Sequence, residues 1–165
     1  MARKVFYSFH YIPDVWRVSQ IRNIGTIEEN KPASDNDWES VKKGGDAVIQ
    51  NWINNQLGGR SCTIVLIGAD TAGRKWIDYE ITKSWNDGKG VFGIYIHNLK
   101  DRNGNQSSKG QNPFDGLNMN RDNRKLSSIV KTYDPPYSVS TNVYDYISNN
   151  LENWIEEAIR IRNNY

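Results

Sequence analysis

Two apolar segments restrict the folds open to this chain more than any other feature. The first, CTIVLIG, spans residues 62–68, and the second, VFGIYIH, spans residues 91–97. Neither alternates between apolar and polar residues, which is typical of strands buried on both faces, as in parallel sheets. Helical periodicity lies between the two segments. They therefore predict parallel strands joined by a crossover helix.

The same alternation continues along the chain. A short strand at residues 5–9 precedes a helix that Pro13 opens and Gly25 closes. The pattern predicts an α/β fold, with a central parallel sheet of about five strands and helices on both faces. The length of 165 residues fits a single domain over 1–165. Further helices are predicted over residues 47–57, 72–87 and 143–159.

Two long polar segments interrupt this pattern. Residues 26–43 show little apolar periodicity, although Ile27 is a candidate for a short second strand. Residues 98–123 are rich in Asn, Gly, Ser, Lys and Asp, and they predict a long loop. Loops of that length are usually functional or mobile. A weak strand is expected near residues 129–133.

Charge and cysteine content limit the classes of function. The 21 basic and 19 acidic side chains leave a formal charge of +2, whereas proteins that bind duplex DNA usually carry a larger, clustered excess. Cys62, the single cysteine, cannot form an internal disulfide. No apolar run resembles a signal peptide or a membrane span. We expect a cytoplasmic protein with neither a nucleic-acid nor a membrane partner.

Nucleotide and metal motifs do not occur in the sequence. It contains neither GxGxxG nor GxxxxGK[ST], and its two histidines, His10 and His97, lie far apart without a cysteine cluster. No metal site is predicted. In an open parallel sheet, ligands bind at the carboxyl ends of the strands. Candidate positions there are residues 8–14, residues 68–74 and the chain from His97 onward.

The helix in the segment GRKWIDYEITKSW carries the most suggestive polar residue. Ile77, Ile81 and Trp85 are four residues apart and should face the sheet. Trp76 and Glu80 lie on an adjoining stripe, one turn apart. A carboxylate beside an aromatic ring suits a cationic substrate that contains a ring.

Simpler interpretations compete with this one. Spacing alone favours a surface Glu80 that pairs with Lys75 or Lys83, since such pairs are common on helices. His10 and Tyr11 follow a strand, which is a good place for ligand contact, although a lone histidine there is more often structural. The positions of Asp14 and Arg17 are typical of charges on a helix surface, and the helix dipole accounts for Asp14.

Three segments of the chain carry a resemblance to a known family: RKVFYSFHYIPDVWRVSQIRN, CTIVLIGADTAGRKWIDYEITKS and GIYIHNLKDRNGNQSSKGQNPFD. Together they resemble the TIR-like domains of the Thoeris anti-phage family. The resemblance implies a flavodoxin-like TIR fold that consumes NAD as a substrate, without a further cofactor, and releases nicotinamide. The remainder of NAD would become a cyclic or otherwise modified ADP-ribose, which activates a separate NAD-depleting effector. A homo-oligomer on activation is one option.

The resemblance also implies which residues form the site. The catalytic glutamate of the family lies on the helix after the third strand, which matches Glu80, and the pocket includes the loop after the first strand. The expected substrate-binding residues are Phe9, His10, Tyr11, Asp14 and Trp76.

A single carboxylate could suffice for this chemistry. The nicotinamide of NAD is already cationic and leaves as a neutral molecule, so the catalytic demand falls on the oxocarbenium character of the ribose. Two alternatives remain. The chain could be a non-catalytic TIR interaction module with Glu80 on its surface, or a nucleic-acid-processing protein, against which the balanced charge counts.

Overall fold

The computed structural model describes residues 3–24, 28–29, 43–119 and 123–165. Strands and helices alternate along these ranges, and two short 3-10 helices lie at Pro113–Gly116 and Leu126–Ser128. The main elements are β1 (Lys4–Ser8), α1 (Tyr11–Arg22), β2 (Glu28–Glu29), α2 (Asp46–Leu57), β3 (Cys62–Ile67), α3 (Lys75–Asn86), β4 (Gly90–Tyr95), β5 (Thr132–Tyr133) and α4 (Ser140–Asn163).

The strands form one parallel sheet in the order β2-β1-β3-β4-β5. This order is typical of flavodoxin-like folds. The central pair, β3 and β4, is in register from Cys62 opposite Gly90 to Ile67 opposite Tyr95, and every residue of both strands is buried. The predicted α/β fold is confirmed, with outer strands β2 and β5 of two residues each.

Helices cover both faces of the sheet. On one face, Val18 of α1 and Ile147 of α4 join the cluster that contains Ile64 of β3. On the other face, Ile53 of α2 packs with Phe6 of β1. Helix α3 lies on that second face as well, because its buried residues pack with the alternate side chains of β3. Consecutive strand residues thus point to opposite layers of the core.

Two helix boundaries differ from the sequence prediction. Helix α3 begins at Lys75 rather than near residue 72, because Gly73 has φ +82° and Arg74 has an extended backbone. Helix α1 begins at Tyr11, so Pro13 lies within its first turn, where a missing backbone N–H costs little. The predicted helix end at Gly25 and the candidate strand residue Ile27 lie outside the described residues.

The polar segment after β4 is packed more firmly than its composition suggests. It forms a long irregular connection, as predicted, but its side chains of Leu99, Phe114 and Met119 are buried in the core. These apolar residues are unevenly spaced, so periodicity does not reveal them. The expected strand near residues 129–133 is present as β5. Across the described ranges, no helix is long and apolar enough to cross a membrane.

Candidate active site

Helix α3 presents Glu80 beside its sheet-facing stripe. Ile77, Ile81 and Trp85 are buried against the sheet, as their spacing predicts. Glu80 lies one position before Ile81. The residue as a whole is only partly buried, but its carboxyl group is shielded from water. The helix therefore turns an ionisable group toward the interior instead of toward bulk water.

The environment of Glu80 favours the protonated carboxyl. Burial raises the pKa of Glu80 to about 8, because a carboxylate loses its hydration there. The hydroxyl of Ser8, the last residue of β1, opposes this rise and lowers the pKa. Ser8 Oγ is itself buried and makes no hydrogen bond of regular geometry within the described residues. The Ser8 hydroxyl thus stabilises the charged form of Glu80, although no hydrogen bond of regular geometry joins the two side chains.

The lysines on α3 bind other carboxylates. Lys75 Nζ lies 2.5 Å from Asp46 Oδ2, and Lys83 Nζ lies 3.0 Å from Asp87 Oδ1. No ion pair of Glu80 is found among the residues that the structure describes. The simple surface pairing that spacing favoured is therefore absent from this part of the chain. Burial therefore raises the pKa of Glu80 without opposition from an ion pair in the described ranges.

The loop after β1 meets the turn before α3. His10 precedes the first residue of α1, and its Nδ1 is buried without a hydrogen-bond partner in the described chain. Burial lowers the pKa of His10, the positive charge of Arg74 lowers it further, and Asp70 opposes them. The imidazole is therefore neutral at neutral pH, with a ring nitrogen available to a ligand.

Buried polar atoms without hydrogen-bond partners gather at the carboxyl edge of the sheet. Such atoms are uncommon in folded proteins, and each calls for an explanation such as a ligand or an ordered water. All of the following lie at strand ends or in the segments that follow them. Within the described ranges they are Ser8 Oγ, His10 Nδ1, Asp14 Oδ2, His97 Nδ1 and Ser107 Oγ.

A cleft of about 410 Å³ opens at the same edge. One side is formed by the turn between β3 and α3, including Asp70 and Arg74, and the other by Lys109, Gly110 and Gln111 of the segment after β4. Two of these side chains, Arg74 and Lys109, are cationic. Asp70 is anionic, and Lys109 Nζ already pairs with Asp134 Oδ2 at 2.9 Å. Arg74 is therefore the cation of the cleft best placed to bind an anionic group of a ligand.

None of the predicted site residues is among those that line this cleft, and they divide into two groups. Glu80 and His10 both belong to this edge, where Ser8 acts on the carboxyl of Glu80 and the charges of the cleft act on His10. Phe9 instead packs against the core cluster on the α1 side, with its ring centroid 6.1 Å from that of Tyr11. Trp76 packs on the α2 side of the sheet.

Asp14 and Arg17 are buried, not surface charges as expected. Asp14 is 1% exposed and Arg17 is 3% exposed, and Arg17 Nη1 donates to Asp14 Oδ1 at 3.1 Å. Sequence reasoning did not single out Ser8, Arg74 or Lys109 as site residues. Ser8 and Arg74 fall within the candidate ranges at strand ends, residues 8–14 and 68–74, whereas Lys109 lies in the long polar segment after β4, far from any strand end.

Comparison with known proteins identifies the family. Residues 6–101 match the family described as Thoeris protein ThsB, TIR-like domain. A protein of Bacillus cereus (strain MSX-D12), named "Putative cyclic ADP-D-ribose synthase ThsB1", is 41% identical over 133 residues, which cover 76% of this chain and 69% of that protein. The range 6–101 contains the last three residues of β1, the turn with Arg74 and the whole of α3. The chain belongs to the TIR-like domain family of the Thoeris protein ThsB.

Proposed function

We propose that the chain is an NAD-consuming enzyme of anti-phage defence that cleaves the bond between nicotinamide and ribose. The observation that carries the proposal is the Glu80 carboxyl, desolvated and without a cation among the described residues, at the ligand-binding edge of the sheet. The name of the Bacillus cereus relative, a cyclic ADP-D-ribose synthase, supports the same reaction class. Membership of the Thoeris family supports the role in defence.

Glu80 acts in this reaction as the group that stabilises positive charge. The C1′–N bond breaks, its electron pair passes to the pyridine nitrogen, and nicotinamide leaves uncharged. Oxocarbenium character then develops on the ribose. An ionised Glu80 stabilises that charge more strongly in a desolvated site than it would in water.

The other candidate residues would hold the remaining parts of NAD. The cations Arg74 and Lys109 suit its diphosphate, and neutral His10 can bind a hydroxyl or an amide. Tyr11 is the candidate for stacking on a base, and Trp76 would reach the ligand only from the α2 side of the sheet, where it packs. Phe9 and Asp14, which lie deeper, support the site from behind. NAD is the substrate, and the proposal needs no further cofactor.

The product depends on the nucleophile that attacks C1′. Attack by an atom of the adenine base of the same molecule gives a cyclic ADP-ribose, whereas attack by water gives free ADP-ribose. If the site closes around NAD and excludes water, the cyclic product is favoured. In the proposed pathway, this cyclic or modified ADP-ribose activates a separate NAD-depleting effector, and the chain self-associates on activation.

The test is nicotinamide release from NAD by wild type and by Glu80→Gln. Glutamine keeps the size of the side chain but removes its charge, so turnover should fall by about a hundredfold or more. Glu152→Gln, the same change at an exposed position of α4, is the matched control and should retain full turnover. Equal turnover in wild type and Glu80→Gln would contradict the catalytic role.

The rival proposal is a non-catalytic interaction module. An exposed apolar face on α1 supports it, since Ile12 is 81% exposed and Trp16 is 51% exposed. Apolar patches of this kind often mark contact surfaces. The module predicts that wild type releases no nicotinamide under any condition, and that Ile12→Ser abolishes self-association.

A further inference from the structure

The segment after β4, residues 98–112, forms one wall of the cleft. We call it the β4 loop. It contributes Lys109, Gly110 and Gln111 to the lining. The loop contains no strand and no helix, so its position depends on contacts with neighbouring elements. Two sets of contacts hold it. Residues 134–140 bind the loop on one side, for example through Gln106 Nε2, which donates to the carbonyl oxygen of Ser138, and through the ion pair of Lys109 with Asp134 at 2.9 Å. Helix α1 binds it on the other side, chiefly through Arg17.

Arg17 of α1 binds two backbone carbonyl groups of the β4 loop. Its Nε donates to the carbonyl oxygen of Leu99 at 2.8 Å, and its Nη2 donates to that of Asn105 at 3.0 Å. The third nitrogen, Nη1, donates within α1, to Asp14 Oδ1 at 3.1 Å and to the carbonyl oxygen of Pro13 at 3.2 Å. A guanidinium group is suited to this task because its donors have fixed directions.

Asp101 stabilises the part of the β4 loop that Arg17 binds. Its Oδ1 accepts hydrogen bonds from the backbone N–H groups of Asn103 and Asn105, both at 2.9 Å. Its Oδ2 lies 3.9 Å from Arg17 Nη2. The Asn105 carbonyl that Arg17 binds therefore belongs to a turn that Asp101 closes with two hydrogen bonds.

Asp14 contacts the β4 loop indirectly, through Gly68 at the end of β3. Its carboxyl lies against Gly68, immediately after β3, where a Cβ atom would come within 2.1 Å of Asp14 Oδ2. Gly110 in turn lies against Gly68, because a Cβ on Gly110 would come within 2.0 Å of the Gly68 carbonyl oxygen. Asp14, Gly68 and Gly110 thus form three contacting layers from helix to cleft wall.

A buried ion pair is a poor source of stability, because desolvation of both charges offsets their attraction. The side chains of Arg17 and Asp14 are only 4% and 2% exposed. Their arrangement is better explained by the geometry that they impose. We propose that Arg17 and Asp14 are positioning residues, which lock the β4 loop to α1 and thereby fix Lys109 and Gly110 as the wall of the NAD cleft.

This inference rests on the proposed function for the identity of the ligand, but its structural part can be tested without NAD. Arg17→Lys keeps the charge beside Asp14 and loses the fork that reaches both loop carbonyls. Gly110→Ala displaces the wall while Arg17 stays intact. Gly116→Ala is the matched control, since a Cβ there meets nothing within 4 Å.

The first measurement is amide hydrogen exchange in the free protein. Arg17→Lys should speed exchange by about tenfold at the amides of Asp101 and Ser107, which bond to Asn105 and His97. Gly116→Ala should leave both rates unchanged. Unchanged exchange in Arg17→Lys would overturn the proposal. This measurement decides the locking step even if wild type releases no nicotinamide, a result that would count against the proposed function alone.

The second measurement separates positioning from a general loss of structure. A displaced wall should raise KM for NAD by about tenfold in Arg17→Lys and in Gly110→Ala, with kcat within about threefold of wild type. Partial unfolding would instead lower kcat and leave KM unchanged. If Arg17→Lys fails to fold, Gly110→Ala decides the matter. Wild-type KM in both variants, or in the one that folds, would overturn the proposal.

Discussion

The hydroxyl of Ser8 acts on the carboxyl of Glu80 across the end of the first strand. Ser8 ends β1 and Glu80 lies in the middle of α3, so the parallel sheet brings together residues that are distant in sequence. Ser8 lowers the pKa of Glu80, whereas burial raises it to about 8. The charge of Glu80 at neutral pH is therefore decided by a small number of contacts.

We predict that turnover depends on pH through Glu80. Because the ionised carboxylate is required, kcat/KM for nicotinamide release should rise with pH, reach half of its maximum near pH 8 and level off about one pH unit higher. In the complex, the cationic nicotinamide stabilises the carboxylate, so kcat should level off at a lower pH. The measurement is initial rates over about pH 6 to 9 at low and at saturating NAD.

His10 should not contribute to that profile. Burial and the charge of Arg74 lower the pKa of His10 below its usual value of 6.5, so the imidazole is uncharged throughout the upper part of the range. A profile that is flat from about pH 6 to 9 would contradict a requirement for ionised Glu80.

The second prediction concerns Ser8→Ala. Loss of the hydroxyl removes the group that lowers the pKa of Glu80, so the midpoint of the kcat/KM profile should move to higher pH and turnover at neutral pH should fall. Folding should change little, because Ser8 Oγ has no regular hydrogen bond to lose within the described chain. Rate profiles and melting temperatures of both proteins provide the test.

Ser84→Ala is the contrasting control. Ser84 Oγ lies 2.8 Å from Thr63 Oγ1 and donates to the carbonyl oxygen of Glu80 at 2.6 Å. Its removal should cost about 1–3 kcal/mol of unfolding free energy, since Thr63 is left without its partner, while the pH midpoint stays in place. If Ser8→Ala destabilises the protein and leaves the profile unchanged, Ser8 has only a structural role.

Much of the fold could be predicted because it depends on local pattern. The apolar runs that became β3 and β4 have no polar face, which requires helices on both sides of the sheet. The spacing of Ile77, Ile81 and Trp85 placed Glu80 beside the buried stripe of its helix, as the structure shows. These features follow from the periods of strand and helix, and no long-range information is needed.

The contacts that tune the site could not be predicted in the same way. Arg17 reads as a surface charge on a helix, because its partners at Leu99 and Asn105 are backbone carbonyls of a distant irregular loop. Any residue type supplies such a carbonyl, so the sequence of the loop carries no signal. Ser8 acts on Glu80 only because α3 packs over the end of β1, which is a property of the assembled sheet.

The last prediction concerns the stability of Glu80→Gln as a function of pH. The pKa of Glu80 is raised from 4.5 to about 8 by folding, so between these values the folded state retains a proton that the unfolded chain has lost. The unfolding free energy of wild type should therefore contain a contribution that falls as pH rises through this window, by up to about 1.4 kcal/mol per pH unit. Glutamine does not titrate. The variant should match wild type at the acid end of this window, become progressively more stable than wild type up to about pH 8, and keep a constant difference above that pH. Urea denaturation of both proteins at several pH values measures this difference, with Glu152→Gln as the control that should follow wild type.

A constant difference between wild type and Glu80→Gln across the range would contradict this prediction. It would show that Glu80 is ionised in the folded protein at all these pH values, and the explanation of its raised pKa by burial would fail.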